Sequence, residues 1–138
     1  MDPKEVKRLI KLGESESLEF KSAFSNEVIE TLAAFSNTRG GVVLAGVADS
    51  GVVCGVSVKL ETIQQWLNEI KTKTLPALTP EVELVPVAGK NVVVFRAPEY
   101  PVKPVSFKGR FFKRGKNSNH LIRPKEVPQA HYNSFTPS

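Results

Sequence analysis

Glu14 to Gly55 reads ESESLEFKSAFSNEVIETLAAFSNTRGGVVLAGVADSGVVCG, and the changes of hydrophobic period within it decide the fold. Leu18-Glu19-Phe20-Lys21 alternates apolar and charged residues, the period of a half-buried strand, with Leu18 and Phe20 toward the core. From Ser25 the period lengthens. Val28, Ile29, Leu32, Ala33 and Phe35 recur at helical spacing, Ser25 or Asn26 can cap the first turn, and Glu27 lies within it. Gly40-Gly41 ends this helix. Val42 to Val47 is nearly all apolar, which predicts a central strand buried on both faces. Asp49-Ser50-Gly51 has turn chemistry, and Val52 to Val56 is expected to return as the partner strand of a hairpin.

On the N-terminal side, Asp2-Pro3-Lys4-Glu5 opens a short helix with a narrow stripe of Val6, Leu9 and Ile10, and Gly13 stops it. On the C-terminal side, Leu60, Ile63, Trp66, Leu67 and Ile70 form a second helical stripe that ends by Pro76, with Trp66 as a core anchor. Val82 to Val87 and Asn91 to Ala97 read as a hairpin around Ala88-Gly89-Lys90. Short strands are expected at Val105 to Phe107 and Arg110 to Lys113, around Lys108-Gly109. A polar loop should follow from Arg114 to Asn119, then one helical turn at Pro124 to Val127. The expectation is an α/β (α+β-like) fold: a single domain spanning 1–138, a mixed β-sheet flanked by helices. Its core covers about 13–127, and the polar tail 128–138 leads toward a further C-terminal region.

A chain of 138 residues can bury a core without disulfides, and its 41% hydrophobic and 24% charged residues are ordinary for a globular protein. Cys54 is the only cysteine, which excludes an intrachain disulfide and fits a reducing, cytoplasmic setting. Its apolar strand context reads as packing. No apolar run approaches membrane-spanning length, so no membrane partner is expected. The net charge of +5 is unevenly placed: residues 1–58 sum to −2 and residues 59–138 to +7. Eight basic and no acidic residues lie between Lys103 and Lys125. That asymmetry is the electrostatic footprint of a nucleic-acid binder, against the plainer reading of a solvated basic face.

Two constellations carry chemistry. Glu14 and Glu19 flank the start of one strand, and Asp49 ends a strand that could neighbour it. Clustered carboxylates hold magnesium or manganese, since hard cations prefer oxygen. The plainer reading is two solvated glutamates and a turn aspartate. The second constellation is Lys108, Arg110, Lys113, Arg114 and Lys116, interleaved with Phe107, Phe111 and Phe112. Such cations neutralise phosphates and exposed aromatics stack on bases, while alternation turns one of Phe111 and Phe112 inward. Arg39 could reach a phosphate or neutralise the helix end before it, and Lys21 could add to the contacts. There is no GxxxxGK[ST] loop and no GxGxxG fingerprint, so no ATP site is expected. His120 and His131 have no ligand-spaced partner.

Three runs carry a family resemblance: Glu14-Ser-Glu-Ser-Leu-Glu-Phe-Lys21, Ala34-Phe-Ser-Asn-Thr-Arg-Gly-Gly41 and Leu44-Ala-Gly-Val-Ala-Asp-Ser-Gly51. Together with Lys103 to Gly115, they resemble the Schlafen AlbA-like domain family of prokaryotic transcriptional regulators, once labelled a divergent AAA-type domain. The resemblance spans roughly Gly13 to Val127. It implies a mixed sheet flanked by helices and a nucleic-acid-binding role, with DNA favoured over RNA. On that binding reading Lys108, Arg110, Lys113, Arg114 and Lys116 would contact the backbone, with Lys21 and Arg39 as additions. Some animal Schlafens cleave RNA with a Glu, Glu, Asp trio that matches Glu14, Glu19 and Asp49, so the alternative is a metal-dependent endoribonuclease using magnesium or manganese. Three features depart from that nuclease pattern. The chain supplies one lobe, so a groove would take a homodimer; Ala48-Asp49 stands where the family often has two aspartates; and the zinc-binding Cys and His residues are absent. A binding module without catalysis and without a cofactor is therefore the leading expectation. A protein-interaction or dimerisation domain is the third.

Overall fold

A computed structural model describes residues 1–123. The helical turn expected at 124–127 and the tail at 128–138 lie outside the described residues. Helix α1 (Pro3–Leu12) begins as its residues require: Asp2 accepts a hydrogen bond from the Glu5 N–H at 2.8 Å, and Pro3 fills the first turn. Gly13 closes it at φ 81°, where an L side chain would be strained.

The decisive stretch folds as strand, helix and strand. Strands β1 (Leu18–Lys21) and β2 (Gly41–Ala45) pair in parallel, Leu18 opposite Val42 and Lys21 opposite Ala45. Between them runs α2 (Asn26–Ser36), capped by the Ser25 side chain on the Glu27 N–H. Helix α2 is buried on nearly every side, from Val28 and Ile29 to Phe35 and Ser36, more fully than its stripe implies. Helix α3 (Leu60–Lys73) runs directly into the two-residue strand β3 (Thr74–Leu75) ahead of Pro76. Strands β4 (Glu81–Val87) and β5 (Lys90–Ala97) form the expected hairpin, and β5 pairs antiparallel with β2. The first sheet is therefore mixed, in the order β1-β2-β5-β4.

Strands β6 (Ser106–Phe107), β7 (Arg110–Gly115) and β8 (Ser118–Ile122) join β3 in a second, antiparallel sheet, β3-β6-β7-β8. Side-chain alternation on the first sheet defines two cores. Leu44, Val92 and Val94 pack with Val6, Leu9 and Ile10 of α1 on one face. Val43, Val93 and Phe95 pack with α2, Ile70 and Phe107 on the other. Helix α2 thus lies between the sheets. Trp66 stacks on Phe24 at 4.7 Å between centroids and approaches Phe95, which makes it the half-buried edge of this core. Each fully buried Leu, Ile or Phe stabilises such a core by about 1.5–3 kcal/mol.

Three local expectations need correction. Val52 to Val56 forms no hairpin strand with β2: a single bridge, Val47 to Val53, remains. The chain turns at Gly46, whose φ of 104° and tight approach to Gly55 and the Asn91 carbonyl end the strand, leaving β5 as the partner of β2. Cys54 is consequently exposed rather than packed. Arg114 to Asn119 is not a loop, because β7 continues to Gly115 and only residues 116–117 separate it from β8. Among the described residues no helix is long and apolar enough to cross a membrane.

Candidate nucleic-acid interface

Strand β7 is the centre of the basic region, and its two faces differ. On the inner face Phe112 packs against the core beneath α2. Two residues on, Arg114 is 4% exposed and its guanidinium meets Glu19 of β1 at 3.0 Å. The same group donates to the Asn119 side chain at 3.0 Å and to the Ser15 carbonyl at 2.9 Å, and lies 5.0 Å from the Phe35 ring centroid. Burial lowers the Arg114 pKa, while the carboxylates of Glu14 and Glu16 oppose that shift. A guanidinium starts so high that it stays protonated. Arg114 is therefore committed to a buried ion pair, which corrects its expected place among phosphate contacts.

Polar residues from the end of α2 hold the second sheet at a fixed height. The Asn37 amide donates to the carbonyls of Val105 at 2.9 Å and Phe112 at 2.8 Å, and its oxygen accepts from the Val105 N–H. Thr38 accepts from the Arg114 N–H, and Asn119 donates to Glu30 and Thr31. Neither Asn37 nor Asn119 stood out in the sequence. The signal at Asn37 was an amide next to a helix end, and Asn119 offered none; both acquire meaning only once the partner strands are known.

The outer face of β7 carries Phe111 and Lys113, opposite Ile122 and His120 of β8. Phe111 is half-buried and Lys113 exposed, so alternation resolves with Phe112 inward and Phe111 outward. His120 stacks over Gly115, where a Cβ would sit 2.9 Å from the imidazole, and its Nε2 lies 3.1 Å from the Ser118 hydroxyl. It joins the patch because β8 begins at Ser118, inside the stretch whose composition predicts a loop up to Asn119. Lys108 and Lys116 sit at the two ends of β7, at positive φ of 50° and 53°. Both are exposed, as is Arg110. Lys108 lies 5.8 Å from the Phe107 ring centroid. Among the described residues, none of Lys108, Arg110 and Lys116 has a carboxylate at ion-pair distance.

The remaining expected contacts lie apart from this ribbon. Lys21 pairs with Glu27 at 3.0 Å, and Arg39, whose side chain is 83% exposed, stands 3.9 Å from Glu16. The acidic trio is not assembled either. Glu14 accepts the Phe20 N–H at 3.0 Å, Glu19 is neutralised by Arg114, and Asp49 is exposed in the turn beyond β2. Among the described residues, no group of three or more His, Cys, Asp or Glu side chains is placed to hold a metal ion. These donors as arranged do not fit magnesium or manganese, because the most buried carboxylate already has a cation.

A mixed sheet, a second antiparallel sheet and a helix clamped between them by buried polar residues define a small α/β domain with one basic ribbon. Residues 14–123 match the family described as Schlafen, AlbA_2, and the chain belongs to that family. Two solved structures share the fold. The DIP2311 protein of Corynebacterium diphtheriae is 20% identical, with a TM-score of 0.62 over 80% of this chain and 23% of its own. The N-terminal domain of a RecG-related protein from Nitrosomonas europaea, whose name proposes an ATP-dependent DNA helicase, is 23% identical. Its TM-score is 0.62 over 78% of this chain and 81% of that one. This chain thus spans under a quarter of the length of the Corynebacterium protein. No curated protein matches it.

Proposed function

We propose that this domain is a nucleic-acid-binding module, with DNA favoured over RNA, serving a cytoplasmic transcriptional regulator of a prokaryote. The observation that carries the reading is the basic ribbon: Lys108, Arg110 and Lys116 exposed around β7 without a carboxylate partner among the described residues, beside outward Phe111, Lys113 and His120. Cations on a rigid sheet neutralise phosphates, and the adjoining rings offer stacking surface. The DNA-helicase name borne by one structural relative agrees with this reading. The ribbon is a strand pair whose exposed cations suit phosphates, so it is expected to recognise backbone more than sequence. A homodimer would place two ribbons along one polymer.

The test is binding to labelled duplex DNA and structured RNA over a salt series, with manganese and with chelator. Affinity should fall steeply with salt, with a log–log slope of about −0.9 per phosphate neutralised on duplex DNA. An Arg110→Glu, Lys116→Glu variant should lose most of that affinity. Equal binding by the variant would exclude this surface, and no binding at low salt would leave an interaction or dimerisation domain. Manganese-dependent cleavage that stops in Asp49→Ala would instead establish the ribonuclease and require Glu14, Glu19 and Asp49 to rearrange.

A further inference from the structure

The face of the first sheet opposite α2 is incompletely covered. Helix α1 lies over Phe20, Leu44 and Val94 but ends at Leu12, whose side chain is 68% exposed. Beyond it the register lines up Leu18, Val42, Arg96 and Glu81 across all four strands, on one face. This row lines a cleft of about 730 Å³, together with Leu12 and Arg39. Half of the row is apolar, Leu18 and Val42, and Leu9, Ala97 and Pro98 extend the apolar lining around it. Arg96 is exposed and its side chain has no hydrogen bond or ion pair among the described residues, although Glu81 stands opposite it in register. Arg39 has only the 3.9 Å approach of Glu16.

We propose that this cleft binds a small ligand with a flat apolar body and one phosphate group, the shared chemistry of a mononucleotide and a simple aryl phosphate. Leu12, Leu18, Val42 and Pro98 take the flat body, because ligand clefts are largely hydrophobic with a few placed polar groups. Arg96 and Arg39 take the phosphate, because a guanidinium fork matches its oxygens. Arg96 and Arg39 outnumber Glu81 in the lining, and the loose 3.9 Å approach of Glu16 to exposed Arg39 is one that a phosphate would displace. The site opens on the α1 side of the first sheet, whereas the basic ribbon belongs to the second sheet beyond α2, so it stands or falls separately from nucleic-acid binding.

The test is an amide-resolved NMR titration of the whole 138-residue chain with 1-naphthyl phosphate, AMP and inorganic phosphate. Saturable shifts at Leu18, Gly40, Gly41 and Val42 are expected with the two aromatic phosphates. Inorganic phosphate, lacking the body, should bind at least about tenfold more weakly. Arg96→Ala should weaken 1-naphthyl phosphate by about tenfold or more, and Arg96→Lys by less. Arg39→Ala, at an exposed position outside the strands, is the second variant should the first disturb the sheet. AMP binding tighter than 1-naphthyl phosphate would assign a nucleotide, and equal binding the aryl phosphate class. Absence of saturable shifts at the cleft, or unchanged affinity in both alanine variants, would overturn the site.

Discussion

Lys113 and Arg114 are neighbours on one strand with the same charge, yet they belong to different regions of the molecule. Arg114 points inward, is 4% exposed and is held by Glu19, Asn119 and the Ser15 carbonyl. Lys113 points outward opposite His120 and is exposed. The inner face of the second sheet uses charge to fasten two sheets together, and the outer face displays charge to solvent. A count of basic residues along 103–125 merges these roles. The pleat of β7 separates them.

Removing the inner charge should have the largest effect. Arg114→Ala leaves Glu19 buried without a counter-ion, which costs about 3–5 kcal/mol in urea unfolding. Lys113→Ala should cost less than about 1 kcal/mol, as exposed charges usually do. Equal losses would break the distinction between the faces. Asn37→Ala comes next, removing three hydrogen bonds between the end of α2 and the second sheet and leaving buried backbone groups unpaired. A loss of about 1–3 kcal/mol is expected, with hydrogen exchange rising first in β6 and β7. Lys113→Glu should reverse the pattern, weakening DNA binding about tenfold and reducing the salt slope by about 1, with the unfolding midpoint nearly unchanged. The smallest effect sharpens the comparison most. Lys108 and Gly109 form a two-residue turn at φ 50° and 78°, a geometry that favours Asn-Gly. Lys108→Asn should therefore stabilise the fold by up to about 1 kcal/mol while weakening DNA binding. If binding were unchanged, Lys108 would be a turn residue only.

The strand, helix, strand unit at the heart of the chain was legible because each element shows its own period and its own cap. Leu18 and Phe20 alternate, Val28 to Phe35 step at helical intervals, and Ser25 caps α2 as its chemistry demands. What was not legible depended on partners distant in the chain. Arg114 looks like any surface arginine until Glu19 is known to face it across the two sheets. The turn at Gly46 is set by the crowding of Gly55 and Asn91, so the hairpin anticipated for Val52 to Val56 gives way to β5. Strand β8 escaped notice because its polar residues, Ser118, Asn119 and His120, lack β-propensity of their own and pair only because β7 presents a complementary edge. The acidic trio illustrates the same limit for chemistry. Three carboxylates near element ends are a sequence fact, but convergence is a tertiary one, and here Glu19 meets an arginine first.

The position of Arg114 has one more consequence. Strand β1 is an outer strand of the first sheet, and such a strand ordinarily offers its carbonyl groups to any passing chain. Here the guanidinium donates to the carbonyl of Ser15 at 2.9 Å and reaches that of Leu18 at 3.5 Å. The seam where a foreign strand would dock is filled from within the chain, since the Ser15 N–H donates to the Leu18 carbonyl at 2.9 Å and the Phe20 N–H to Glu14 at 3.0 Å, and Arg114 holds the Ser15 segment in that place. The domain can therefore carry an outer strand whose backbone is spoken for, closed by its own approach segment and locked there by one arginine from the other sheet.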